Sequence, residues 1–183
     1  MIKEKIILGI DPGTNIMGFG ILKVENKKPY LIDIGVIDLQ KLDDHFVKLK
    51  KIFEETCCLI EKYHPDELAI EAPFYGKNIQ SMLKLGRAQG TAIAAALSHS
   101  IPIFEYAPRK IKMSITGQGS ASKEQVAFML QKMLGLKEIP ENLDATDGLA
   151  AAVCHYFQNK VGIENTGAKS WKDFISKNPG RLR

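Results

Sequence analysis

No apolar run in the 183-residue chain approaches the roughly 20 residues of a membrane-spanning helix, which excludes a spanning segment of that kind. The first run, Ile6-Ile7-Leu8-Gly9-Ile10, is short and ends on Asp11, so it does not read as a signal peptide. Cysteine is scarce: Cys57, Cys58 and Cys154 form an odd set, two of them adjacent, with no metal-ligand spacing. That excludes a disulfide framework and reads as reduced thiols in a cytoplasmic protein. Repeats and low-complexity segments are absent. So is a Walker A phosphate loop, because in GQGSASKE Lys123 follows Ser122 and precedes Glu124 rather than Ser or Thr.

What is present suits one domain with a real core, since 45% of the residues are apolar. The expected domain is 1–160. Residues 161–183 form a basic tail rich in Gly, Ser and Lys, expected to be flexible. The net charge of +4 is unevenly placed. From Lys77 to Lys132, eight Lys and Arg face only Glu105 and Glu124, a larger surplus than that of the whole chain. Such a stripe is either a solvated face or the footprint of a polyanion.

The hydrophobic periods alternate. Residues 5–11 read as a strand, and 17–24 as its hairpin partner. In 30–38, Tyr30, Ile32, Ile34 and Val36 share one face, as strand alternation requires. From Asp43 the period becomes helical: Phe46, Leu49, Ile52, Phe53, Cys57, Ile60 and Tyr63 form a stripe that Asp43 or Asp44 can cap. Leu68–Glu71 is a second short strand, stopped by Pro73. Residues 77–99 predict a long Ala-rich helix, and 101–106 a strand that Pro102 confines to a sheet edge. Helices at about 122–134 and 143–158 complete an α/β layout with a mixed sheet.

Two of the strands end on carboxylates, Asp11 in GIDPGT and Glu71 in AIEAPF. Strand ends are where α/β sheets place ligands, although Asp-Pro-Gly is also good turn chemistry. Asp144 and Asp147, three apart at a helix start, share one face. Asp144 is explained equally well as an N-cap. Asp147 is less easily explained, because the run from Leu149 to Cys154 buries the helix and a lone buried charge is costly. Four converging carboxylates need cations. An all-oxygen set favours Mg²⁺ or Mn²⁺, and a pair of such ions can serve phosphodiester displacement. His155, eight residues beyond Asp147, reads first as a core or rim histidine.

In their order, GIDPGT, GFG, AIEAPF, KLGRAQG, FEYAPRKIK, GSASKEQV and DATDGLAAAVCH resemble the motifs of the RuvC Holliday-junction endonucleases. The resemblance spans residues 5–158. It implies a ribonuclease H-like fold, with a mixed five-stranded sheet and helices on both faces. It further implies a homodimer and metal-dependent resolution of four-way DNA junctions by paired nicks leaving 5′-phosphate ends. The family's catalytic acids fall on Asp11, Glu71, Asp144 and Asp147, expected to hold two Mg²⁺, with Mn²⁺ able to substitute. A branch-migration helicase complex of the RuvA and RuvB type is the implied partner. Pro73 departs from the family pattern and should stiffen the loop after Glu71.

On that footing Gly13 is expected to leave room for substrate and Phe74 to stack on an unpaired base. Lys77, Arg109, Lys110 and Lys112 are expected to meet the DNA backbone. Lys123, ahead of a helix start, either offsets charge on the phosphate or is a solvated lysine. Gly86, Gly90 and Ala94, spaced by four, would let a second helix approach the 77–99 helix. An ATPase of the sugar-kinase and Hsp70 type, which also uses Asp-x-Gly-Thr, would need a duplicated half for which the chain has no room. A non-catalytic junction-binding module would not need all four acids.

Overall fold

The run from Ile6 to Ile10 is continuous rather than alternating because helices cover both sides of the strand that contains it. In the computed structural model, which describes residues 4–73, 78–138, 140 and 142–161, this strand is β1 (Lys5–Asp11). It pairs antiparallel with β2 (Ile16–Glu25), which pairs antiparallel with β3 (Lys28–Asp38). On its other side β1 pairs parallel with β4 (Glu67–Glu71), and β4 pairs parallel with β5 (Ile103–Tyr106). The order β3-β2-β1-β4-β5 makes a mixed five-stranded sheet with β1 at its centre.

Successive side chains of β1 enter different cores. Leu8 and Ile10, with Leu68 and Ile70 of β4, pack beneath α1 (His45–Tyr63) and α2 (Ile79–Ser98). Ile7 and Ala69 face the opposite layer, built from α3 (Pro108–Thr116), α4 (Lys123–Leu134) and α5 (Leu143–Val161). Among the described residues no helix is long and apolar enough to cross a membrane.

Caps set the helix starts. The Asp44 carboxylate accepts from the Val47 N–H at 2.9 Å, and Asn78 does the same for Ser81 at 3.1 Å. Ser122 and Gln125 form a reciprocal capping box at α4. The edge position expected for the strand after Pro102 is where β5 lies, although the strand itself starts at Ile103.

Several expectations need correction. Tyr30 and Ile32 are about half exposed and do not share a buried face with Ile34. Leu31 pairs with Leu22 and Asp33 with Ile21, so Ile32 is the extra residue of a bulge that flips the alternation. Leu31 then joins Ile34 against the core. On α1, Phe46 and Phe53 are exposed, and the buried face runs through Ile52, Thr56, Leu59 and Ile60. Helix α3 was not expected. Phe74 and Lys77, and the tail beyond Val161, lie outside the described residues.

Candidate active site

Asp11 and Glu71 are the last residues of β1 and β4, neighbouring parallel strands, so the sheet delivers both carboxylates to one edge. Together with Pro12, Ala72, Pro73 and Leu85 they line a cleft of about 70 Å³. Helix α5 enters from the other layer, carrying Asp144 and Asp147 in its first two turns.

Glycine sets how closely α5 approaches. A Cβ on Gly18 would lie 1.8 Å from the Asp144 carbonyl oxygen, and one on Gly9 would lie 2.2 Å from that of Gly148. A Cβ on Gly20 would meet the Leu149 backbone at 2.5 Å. Helix and sheet are thus in backbone contact, which presses the start of α5 against the end of β1. Gly13 has a different part from the one expected. The space a side chain would take is filled by the Ile16 carbonyl, 1.6 Å from an ideal Cβ, so this glycine serves its own turn rather than a substrate.

The electrostatics follow from this crowding. Burial, then the charges of Glu71 and Asp147, push the Asp11 carboxyl well above the usual range. Burial and Asp147 raise Glu71 to about 7. Burial also raises Asp147, against the pull of Lys123. The Lys123 ammonium, at the first position of α4, donates to Asp144 Oδ1 at 2.7 Å and lies 2.5 Å from Asp147 Oδ2. Burial lowers its proton affinity, but the two carboxylates outweigh that and hold it above its ordinary value.

Neither Asp11 nor Glu71 has such a cation among the described residues. No three His, Cys, Asp or Glu side chains of the described residues are gathered as a ready metal cage. The donor set nevertheless fits a hard divalent cation. It is all oxygen, its charge is only partly compensated, and its buried members are destabilised by one another.

The remaining expected residues are distributed as follows. Lys112 on α3 is close enough for its charge to lower Glu71 and Asp147. Lys110 lies over the Tyr106 ring, 5.1 Å from its centre, and the Arg109 side chain packs along Gly119. His155 is fully buried away from the acids: Nε2 meets Glu67 at 2.6 Å and Nδ1 meets the Tyr106 hydroxyl at 2.5 Å. It ties α5 to the start of β4 and the end of β5. Sequence reasoning missed Gln89, whose buried amide donates to the Glu71 carbonyl at 3.1 Å and to Glu105 at 3.0 Å, bracing the strand end. A glutamine just ahead of the Ala-rich half of the helix was the available signal.

The family model described as crossover junction endodeoxyribonuclease RuvC matches residues 7–155. The chain is 62% identical to the crossover junction endodeoxyribonuclease RuvC of Christiangramia forsetii, over 98% of this chain and 94% of that protein. It is 61% identical to that of Bacteroides fragilis, over 100% and 98%. Among solved structures, Thermus thermophilus RuvC in complex with a Holliday junction substrate superposes with a TM-score of 0.79 at 29% identity. That match covers 86% of this chain and 96% of the other.

Proposed function

Because this chain belongs to the RuvC family of crossover junction endodeoxyribonucleases, we propose that Asp11, Glu71, Asp144 and Asp147 are its catalytic, metal-holding residues. The protein is a metal-dependent nuclease of ribonuclease H-like fold that resolves Holliday junctions in recombination and repair. The observation that carries the site is the meeting of two adjacent parallel strand ends, Asp11 and Glu71, with the first turns of α5. We assign Mg²⁺ as the ion, two per site, with Mn²⁺ able to replace it. When bound, such ions stabilise the charge that develops on the phosphate oxygens.

The chain's own groups do the rest. The carboxylates fix where cations and the scissile phosphate meet. Lys123 is one cation already within the cluster, and its flexible stem lets the ammonium turn from Asp144 and Asp147 to a phosphate oxygen. Lys112 adds positive charge beside Glu71. Arg109, Lys110 and, from the sequence, Lys77 hold the DNA backbone, while Phe74 stacks on a base at the junction centre. Cleavage leaves 5′-phosphate ends.

A four-way junction has two-fold symmetry, which an isologous dimer matches with two sites. The exposed face of α2 supports that assembly. Ile79, Leu83 and Leu97 are exposed, and among the described residues nothing outside the helix's own backbone lies within 4 Å of where Gly86 or Gly90 would carry a Cβ. The wider reading is a cytoplasmic homodimer working with a helicase complex of the RuvA and RuvB type, its domain ending near residue 160.

The test pairs binding with nicking on a synthetic four-way junction, beside a linear duplex. Asp147→Asn is expected to bind the junction at least as tightly as the parent without divalent ion, and to lose at least a hundredfold in nicking with Mg²⁺. Near-parental nicking would remove Asp147 from the site.

A further inference from the structure

Beyond the acidic cluster, the turn that follows Asp11 forms one wall of a second cleft. It has a volume of about 100 Å³ and is lined by Thr14, Asn15, Asp43, His45, Lys48 and Lys84. Three elements meet there: the β1–β2 turn, the start of α1 and the exposed side of α2. Its chemistry is cationic, with two lysines against the one carboxylate of Asp43.

The two lysines differ. Lys48 Nζ donates to the Thr14 carbonyl at 3.1 Å and to Asn15 Oδ1 at 3.0 Å. An ammonium has three N–H donors, so one remains for a ligand. Lys84 is exposed and has no ion pair or side-chain hydrogen bond among the described residues. His45 contributes a further unmet group: its buried Nε2 has no hydrogen-bond partner among the described residues.

We propose that this cleft is a second anion site, which holds a backbone phosphate of the bound DNA through Lys48, Lys84 and the Asn15 turn. The inference rests on the reading that the chain binds junction DNA. Asn15 is four residues from Asp11, and four residues of chain span no more than about 15 Å. One strand entering the catalytic cleft can therefore touch both places. The site also balances the molecule. Lys112 and Lys123 flank the acids from the α3–α5 layer, whereas Lys48 and Lys84, on α1 and α2, line the cleft at the turn that follows Asp11. A strand crossing this edge of the sheet meets positive charge on both sides of a negative centre. Because Lys48 grips the turn directly after Asp11, a phosphate on its third donor also steadies the catalytic strand end.

The experiment is fluorescence anisotropy of a labelled four-way junction, titrated with KCl in a chelator, for the parent and three variants. Lys84→Met removes no hydrogen bond or ion pair found among the described residues, so the fold is expected to be kept. It is expected to weaken binding about fivefold to tenfold near 0.1 M salt and to flatten the log–log salt slope by about 0.9. Lys48→Met should do the same and also lower the melting temperature, because it frees the turn. Lys50→Met, on the solvent side of α1 and paired with Glu54, is the control and should change neither slope nor affinity. Parental affinity and slope in Lys84→Met would overturn the proposal, as would an equal flattening in Lys50→Met. A parent that showed no salt-dependent junction binding would instead overturn the junction reading on which the site depends.

Discussion

Glu71 has an ordinary value of 4.5 and is raised to about 7, first by burial and then by Asp147. A raised folded-state value means a stabilisation that is complete below the unfolded pKa and is lost as pH rises through about 7. Metal-free protein should therefore lose about 2 kcal/mol of stability between roughly pH 5.5 and pH 8 from this group. Asp11 is raised as well and adds in the same direction. His155 is lowered by burial, so its effect has the opposite sign and falls with decreasing pH, but it is common to parent and variant. Glu71→Gln should flatten the pH dependence and be the more stable protein at pH 8 without metal. Urea denaturation in a chelator at several pH values checks this, and identical profiles would contradict the burial of charge at Glu71. Added Mg²⁺ should restore the parent alone. Three of the four acids stood out because each breaks a local rule: Asp11 and Glu71 end apolar strands, and Asp147 precedes a helix segment with no polar face, whereas Asp144, explicable as a cap, was singled out by the family resemblance. Lys123 was only half legible. Its place between Asp144 and Asp147 depends on how α4 docks on α5, which a one-dimensional pattern does not carry.

At the scale of elements, the site is made by the seating of α5 on β1 and β2. Gly148 faces Gly18, whose carbonyl lies 2.6 Å from where a Cβ on Gly148 would sit. In an isolated helix Gly148→Ala would add about 1 kcal/mol of stability. Here the methyl must push α5 off the sheet, so a net loss of about 1–3 kcal/mol is expected. Nicking should fall at least tenfold, because α5 carries Asp144 and Asp147 and small misplacements at a reacting centre are costly. Thermal unfolding and junction nicking on one preparation test it; a variant both stable and fully active would show that the close seating is not required. The same contact explains what the pattern could and could not give. Short apolar runs and hydrophobic periods located β1, β4, α1 and α5. They failed at β3, where one bulged residue at Ile32 reverses the faces. Helix α3 was hidden by its brevity and its lysines, although Pro108 at its start, Gly117 after its end and the buried pair Ile111 and Ile115 outline it. On α1, two phenylalanines drew the stripe toward solvent, while Thr56, a polar residue, is in the core.

For the whole molecule, the unmet surface is the outer face of α2, and its glycines separate two explanations for their presence. If Gly86 and Gly90 served only the fold, a side chain there would strike the rest of the protomer, yet among the described residues nothing outside the helix's own backbone lies within 4 Å of either position. Each glycine instead costs the helix about 1 kcal/mol relative to a good helix former. The proposed dimer would give that cost a purpose, since a small residue lets two backbones come together while Leu83 and Leu97 supply apolar area. Gly90→Leu should consequently raise the thermal stability of the protomer by up to about 1 kcal/mol while weakening self-association at least tenfold. The two effects run in opposite directions, which a merely damaged fold cannot imitate. Sedimentation at micromolar concentration reads the assembly. Nicking of a supercoiled cruciform reads its consequence: with the dimer weakened, single nicks should accumulate where the parent makes paired cuts. A Gly90→Leu protein that sediments as the parent does and cuts both strands together would remove α2 as the proposed dimer contact.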